Sequence, residues 1–152
     1  MYGEERRSSA KSTILWIAAI VAVVVVFVGV RQLTALGDFK DAKTRLDAGK
    51  NWLVTVRSYA SGEDFDLRDA EADALVSAAR QVSFSGRASG GPYRVYDEDL
   101  EVTFFSASSG APIRFVVCEE GGSVMDGGDV DCKVSDTSAL YDLARAAMDE
   151  RT

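Results

Sequence analysis

Nineteen consecutive residues without a charge, Ser12 to Val30 (STILWIAAIVAVVVVFVGV), constrain this chain more than any other feature. As a helix they span about 28 Å, close to the hydrocarbon thickness of about 30 Å. Valine is a mediocre helix former in water, but lipid reverses the argument. Only a helix satisfies every backbone N–H and C=O within one spanning segment. A buried core strand is the competing assignment, yet strands run about 5–6 residues, far short of this stretch. Trp16 lies near the first boundary, where an indole sits well among headgroups. The expectation is a tail over residues 1–11 and a transmembrane helix over 12–31, with the lipid bilayer as its first partner.

A cleaved signal peptide is the alternative. Ala35-Leu36-Gly37 reads as a cleavage site with Asp38 as the new start. However, the apolar core is longer than the 7–15 residues such peptides carry, and Arg31 stands between core and site. We therefore expect an uncleaved signal anchor.

Orientation is harder to read than the span. Arg6, Arg7 and Lys11 precede it, and Arg31, Lys40, Lys43 and Arg45 follow it closely, so the positive-inside rule does not decide. The cysteines bear on it. Cys118 and Cys132 are the only two, and both lie on strand-like segments of the distal domain. A pair in an exported domain reads as one disulfide, whose loop of about 15 residues is worth about 3 kcal/mol. Their spacing is not C-x-x-C, which gives no support to a redox pair or a zinc site. These signals predict a cytosolic N-terminus, a cell-membrane span and an extracytoplasmic domain.

Composition narrows the chemistry. The chain contains no histidine, so Ser-His-Asp and Cys-His mechanisms and His-ligated metals are excluded. The formal net charge is −7. Beyond Arg31 there are 13 basic and 22 acidic side chains, a balance that repels phosphate backbones and argues against nucleic acid as a partner.

Residues 32–49 read as helical. Leu33, Leu36, Phe39 and Leu46 fall near one face, Gly37 is a weak point and Gly49 a plausible stop, so the segment is either a stalk or linker or a helix packed on the domain. Residues 50–152 read as an α+β domain. Trp52 to Tyr59 alternate as a strand, and Ser61 to Asp64 form a turn. Leu67 to Val82 make a helix capped by Asp66, with Asp69 completing something like a capping box. Leu67, Ala74, Leu75, Ala78, Ala79 and Val82 form its apolar stripe. Ser85 to Pro92 is a Gly/Ser connector, matching neither a nucleophile elbow nor a phosphate loop.

Strand signals follow at Tyr93 to Tyr96, Leu100 to Phe104 and Ile113 to Cys118. Then either Ser123–Met125 and Val130–Val134 form a small hairpin, or Glu119 to Asp129 is one long loop and the cysteine-bearing strands pair directly. The disulfide fits the second version, since an intervening strand would hold the sulfurs about 10 Å apart. The chain ends in a helix from Thr137 to about Arg151, capped by Asp136 or Thr137. Leu140, Leu143, Ala144, Ala147 and Met148 form its stripe. This element order predicts a small antiparallel sheet with helices on one face.

No residue set stands out as catalytic, and we expect neither an enzyme nor a cofactor. Asp126, Asp129 and Asp131, with Glu119 and Glu120, supply oxygens for a cation, but their spacing does not match a calcium loop. Asp64, Asp66 and Asp69 read as capping residues, and Asp97, Glu98, Asp99 and Glu101 as solvated turn residues. Tyr59, Tyr93 and Tyr96 suit either a binding surface or the sheet. The functional expectation is a membrane-anchored binding, sensing or accessory module that meets a protein partner in the envelope. The layout also resembles type IV pilin-like proteins in outline: a basic leader, an apolar helix running into an amphipathic one, then a sheet with a late cysteine pair. That resemblance implies a structural subunit assembling through its N-terminal helix. The processing motif of that family is missing, since Gly3 precedes Glu4-Glu5-Arg6-Arg7 rather than an apolar run.

Overall fold

A computed structural model describes residues 4–88, 97–119, 122–126 and 131–151. The chain divides after Leu33 into two compact units. A single helix, α1 (Glu4–Ala48, 45 residues), runs unbroken through that boundary and through Gly37.

In the first unit, every large apolar side chain from Ile14 to Val30 is 52–70% exposed. None of the apolar window is buried. This is one helix long and apolar enough to cross a membrane, and its side chains are not packed as those of a core helix would be. Arg31 ends the run with its guanidinium over the Phe27 ring, 5.0 Å from the centroid.

The second unit is α+β. After α1 come β1 (Leu53–Ser58), β2 (Asp64–Leu67), α2 (Asp69–Gln81) and β3 (Ser83–Arg87). Then follow β4 (Leu100–Phe105), β5 (Ile113–Val117), β6 (Ser123–Met125), β7 (Cys132–Ser135) and α3 (Ser138–Asp149). Among the described residues the strands form one seven-stranded sheet in the order β2-β1-β4-β5-β6-β7-β3. Every pairing is antiparallel. Alternation along each strand sends one set of side chains inward. Val56, Val102, Phe115, Met125 and Cys132 form one such row across neighbouring strands, and all are buried. Phe104 links this layer, edge-on to both Trp52 and Phe115.

All three helices contribute to the core over that face. From α1 the buried residues are Ala35, Phe39, Ala42 and Leu46, spaced i, i+4, i+7 and i+11. Of the two alternatives for residues 32–49, the packed helix holds over this stretch. The face differs from the expected one: Leu33 is 69% exposed and Leu36 half-buried. The stripe that won carries two alanines, which let the helix approach the sheet closely. The Cys132 thiol donates to the Ala35 carbonyl at 3.1 Å, and Phe39 packs on Phe84 with centroids 5.7 Å apart.

Cations tie the helix ends together. Lys43 Nζ donates to the Arg80 carbonyl and, at 3.0 Å, to that of Val82, at the end of α2. Arg80 donates in return to the Leu46 carbonyl of α1 at 2.8 Å. Each helix thus supplies the charge that satisfies the other's orphan C-terminal carbonyls. Burial lowers the Lys43 pKa, and Asp47 opposes it. At the other end of α2, Arg151 grips both oxygens of Glu71 at 2.8 and 2.7 Å, joining the close of α3 to the first turn of α2.

Local chemistry changed several expectations. Asp66 is not a helix cap: it lies in β2, where Oδ1 accepts the Thr55 hydroxyl at 2.7 Å. The helix starts at Asp69 after Arg68, without a side-chain cap. Its buried face includes Ala72, Leu75, Val76, Ala78 and Ala79, while Ala74 points outward. The expected connector opens at Ser85, but Ser83–Arg87 is an edge strand with a register shift before Gly86. Tyr93 to Tyr96 lie outside the described residues. The helix ends at Ala48, so Gly49 follows its last residue as expected; its N–H donates to the Arg45 carbonyl at 2.9 Å, and its φ is not positive. Its lack of a side chain admits the Trp52 ring, which a Cβ there would meet at 2.0 Å. In α3 the buried set is Leu140, Tyr141, Ala144 and Met148, with Leu143 turned partly outward.

Leu46→Ala should cost about 2–5 kcal/mol, whereas Leu33→Ala should stay within about 0.5 kcal/mol. Urea unfolding of the full chain in detergent, followed by near-UV circular dichroism, checks this. Equal effects at the two positions would contradict the packing of α1.

Candidate functional site

The helices cover one face of the sheet and leave the other open. Register places Asp64, Arg57, Glu101, Val116, Val124 and Lys133 in a row across six strands of that open face. A parallel row runs Asp66, Thr55, Thr103 and Arg114. Leu53 and the half-exposed Phe105 pair at one end of β1 and β4, giving the face an apolar corner.

A concavity of about 180 Å³ lies near its middle, bounded by Tyr59, Glu101, Arg114 and Asp126 around a floor of Val116 and Val124, with Asp131 beside them. Tyr59 follows β1 and donates its hydroxyl to Glu101 Oε2 at 2.7 Å. Burial, then the Glu101 hydrogen bond, pushes the phenol up to about 12, so it stays protonated and donating at neutral pH. Arg114 forms an ion pair with Asp126, whose backbone N–H donates to the Arg114 carbonyl at 2.9 Å. The Asp126 hydrogen bond raises the Arg114 pKa. The polar groups are thus arranged as donor–acceptor pairs over a small apolar floor.

The cysteines are a correction. Both are buried and neither forms a disulfide. The chain takes the hairpin alternative: β6 lies between β5 and β7, and Cys132 faces Met125, which faces Phe115. Two strand spacings, about 10 Å, therefore separate Cys132 from β5, and Cys118 lies three residues beyond Phe115. That exceeds disulfide reach. Cys118 Sγ instead contacts the Gly122 carbonyl at 3.7 Å. Burial, reinforced by Asp38 and Asp131, pushes the Cys132 thiol up to about 11.

The acidic segment is only partly described. Asp126 is committed to Arg114, while Glu120 and Asp129 lie outside the described residues. Among the described residues no group of three or more acidic, cysteine or histidine side chains is placed to hold a metal ion. Asp99, expected in a solvated turn, is 1% exposed, and its carbonyl accepts the Tyr59 N–H. The Glu98 carbonyl accepts the Tyr141 hydroxyl at 3.2 Å. Sequence reasoning found Tyr59 but not its partners. Arg114 lies on β5, and nothing local in sequence joins it to Asp126, twelve residues away.

No protein family, curated protein sequence or solved structure matches this chain.

Intact mass of the purified chain should show both thiols in the reduced form. At pH 8, iodoacetamide should modify them slowly, and rapidly only after unfolding. A loss of two mass units that dithiothreitol reverses would contradict this placement of β6.

Proposed function

We propose that this chain is a single-pass membrane-anchored interaction module, with its tail in the cytosol, its domain outside, and the open sheet face turned to a protein partner. The observation that carries the proposal is the run of apolar side chains from Ile14 to Val30, each more than half exposed beside a fully packed domain. Water would penalise such a surface heavily, and lipid would not. An uncleaved anchor is supported by Ala35, which is fully buried and holds the Cys132 thiol. Cleavage after Gly37 would remove it from the core.

The disulfide no longer supports an exterior domain, but the charge count now does. Of the four cations after the span, Lys43 is bound to the end of α2 and Arg45 donates to the Ala111 carbonyl at 2.7 Å. Folded domains translocate largely regardless of such charges. Among the remaining flanking cations, Arg6, Arg7 and Lys11 outnumber Arg31 and Lys40. The acidic domain argues against nucleic acid. The protonated Tyr59 and the buried thiols argue for binding rather than catalysis.

A pilin-like subunit is the second reading. It is favoured by the unbroken passage of α1 from its apolar residues into the core of an antiparallel sheet.

Single-cysteine labelling tests the topology. A membrane-impermeant maleimide should label Ser138→Cys in intact spheroplasts and Ser9→Cys only after permeabilisation, against a low background from the buried native thiols. The reverse pattern would invert the orientation, and labelling of both in the aqueous fraction would remove the anchor. An intact mass of 16.4 kDa, with the leader retained, would count against the pilin-like alternative.

A further inference from the structure

A second, larger concavity lies at the start of β1, and its lining includes Leu53 of the open face's apolar corner. It is a cleft of about 640 Å³ between the turn joining α1 to β1 and one side of α2, a size typical of small-molecule sites. Trp52 and Val76, both buried, supply its apolar lining. Five charged side chains line it: Lys50, Arg68 and Arg80, Asp69 and Asp73. Lys50, Arg68, Asp69 and Asp73 are exposed, and none of these four takes part in an ion pair among the described residues. Arg80, which also borders the cleft, is by contrast tied to Asp47 and the Leu46 carbonyl. Two of the three non-glycine residues with left-handed backbone, Asn51 and Asp69, stand on its opposite walls.

A ligand that answers two unpaired cations and two unpaired anions around an apolar lining carries one charge of each sign. Asp73 lies one turn, about 6 Å, beyond Asp69, the first residue of α2, and Arg68 precedes the helix with extended backbone. A dipeptide, about 7 Å long when extended, reaches across one such turn. We propose that this cleft binds the zwitterion of a short peptide, its carboxylate at Lys50 and Arg68, its ammonium at Asp73 and an apolar side chain against Trp52 and Val76. The cleft shares Leu53 with the open sheet face but none of the groups assigned to the ligand, so a failure here leaves the membrane-anchored reading standing.

Trp52 reports on the cleft directly. The chain has two tryptophans, and Trp16→Phe leaves Trp52 alone. Its indole N–H is buried without an acceptor, so its proton–nitrogen resonance is a separate handle. Full-length Trp16→Phe chain in nanodiscs would be titrated with the dipeptide Gly-Leu, N-acetyl-Gly-Leu and Gly-Leu amide, read by the indole resonance and by calorimetry. Free Gly-Leu should shift the resonance saturably, and each capped form should bind about tenfold more weakly. Arg68→Gln should weaken Gly-Leu about tenfold and abolish discrimination against the amide, and Asp73→Asn should do the same for the acetylated form. Both positions are exposed, and unchanged melting would show that the variants fold. No shift and no heat with Gly-Leu at millimolar concentration would overturn the proposal. So would equal binding of all three peptides, or binding unaffected by both substitutions.

Discussion

One helix changes character along its length, from exposed apolar residues to an amphipathic stretch, and the packing of the domain follows from that change. From Ile14 to Val30, α1 exposes its large apolar side chains. From Ala35 onward it is amphipathic, and its stripe of Ala35, Phe39, Ala42 and Leu46 closes the core over the sheet. The exchange of Lys43 and Arg80 between the ends of α1 and α2 fixes that seating. Without residues 34–48, the inward row of the sheet would lose part of its cover. Phe84 and Cys132 would also lose the groups they meet.

With three helices on one side, the sheet keeps its other side for solvent or for a partner. Antiparallel sheets carry such one-sided burial readily. Here the open side is patterned: Tyr59 with Glu101, Arg114 with Asp126, and an apolar corner at Leu53 and Phe105. The acidic edge strand β2, with Asp64 and Asp66, discourages strand-to-strand aggregation at that margin.

Much of the fold was legible because its central strands and helices obey their periods. Val54 and Val56, Leu100 to Phe104 and Ile113 to Val117 alternate cleanly, and α2 and α3 show helical stripes. The edge strands escaped notice for a physical reason. β2 carries two aspartates and β3 a glycine at a register shift, so neither has the apolar alternation that burial imposes on a central strand. The face of α1 was misjudged because large side chains draw attention, whereas close helix–sheet packing selected alanines. The disulfide failed on a three-residue strand, β6, too short to be secure in sequence yet sufficient to separate the thiols. The paired charges of the open face are long-range contacts, which no local pattern encodes.

Amide hydrogen exchange of the full chain in lipid nanodiscs tests the shared role of α1 most directly. If its second half is part of the domain's core, amides around Phe39 to Leu46 exchange as slowly as those of β4 and β5, and all are released together when urea unfolds the domain. Exchange of that stretch well before β4 and β5 would show a helix merely leading to the domain, and would contradict the account.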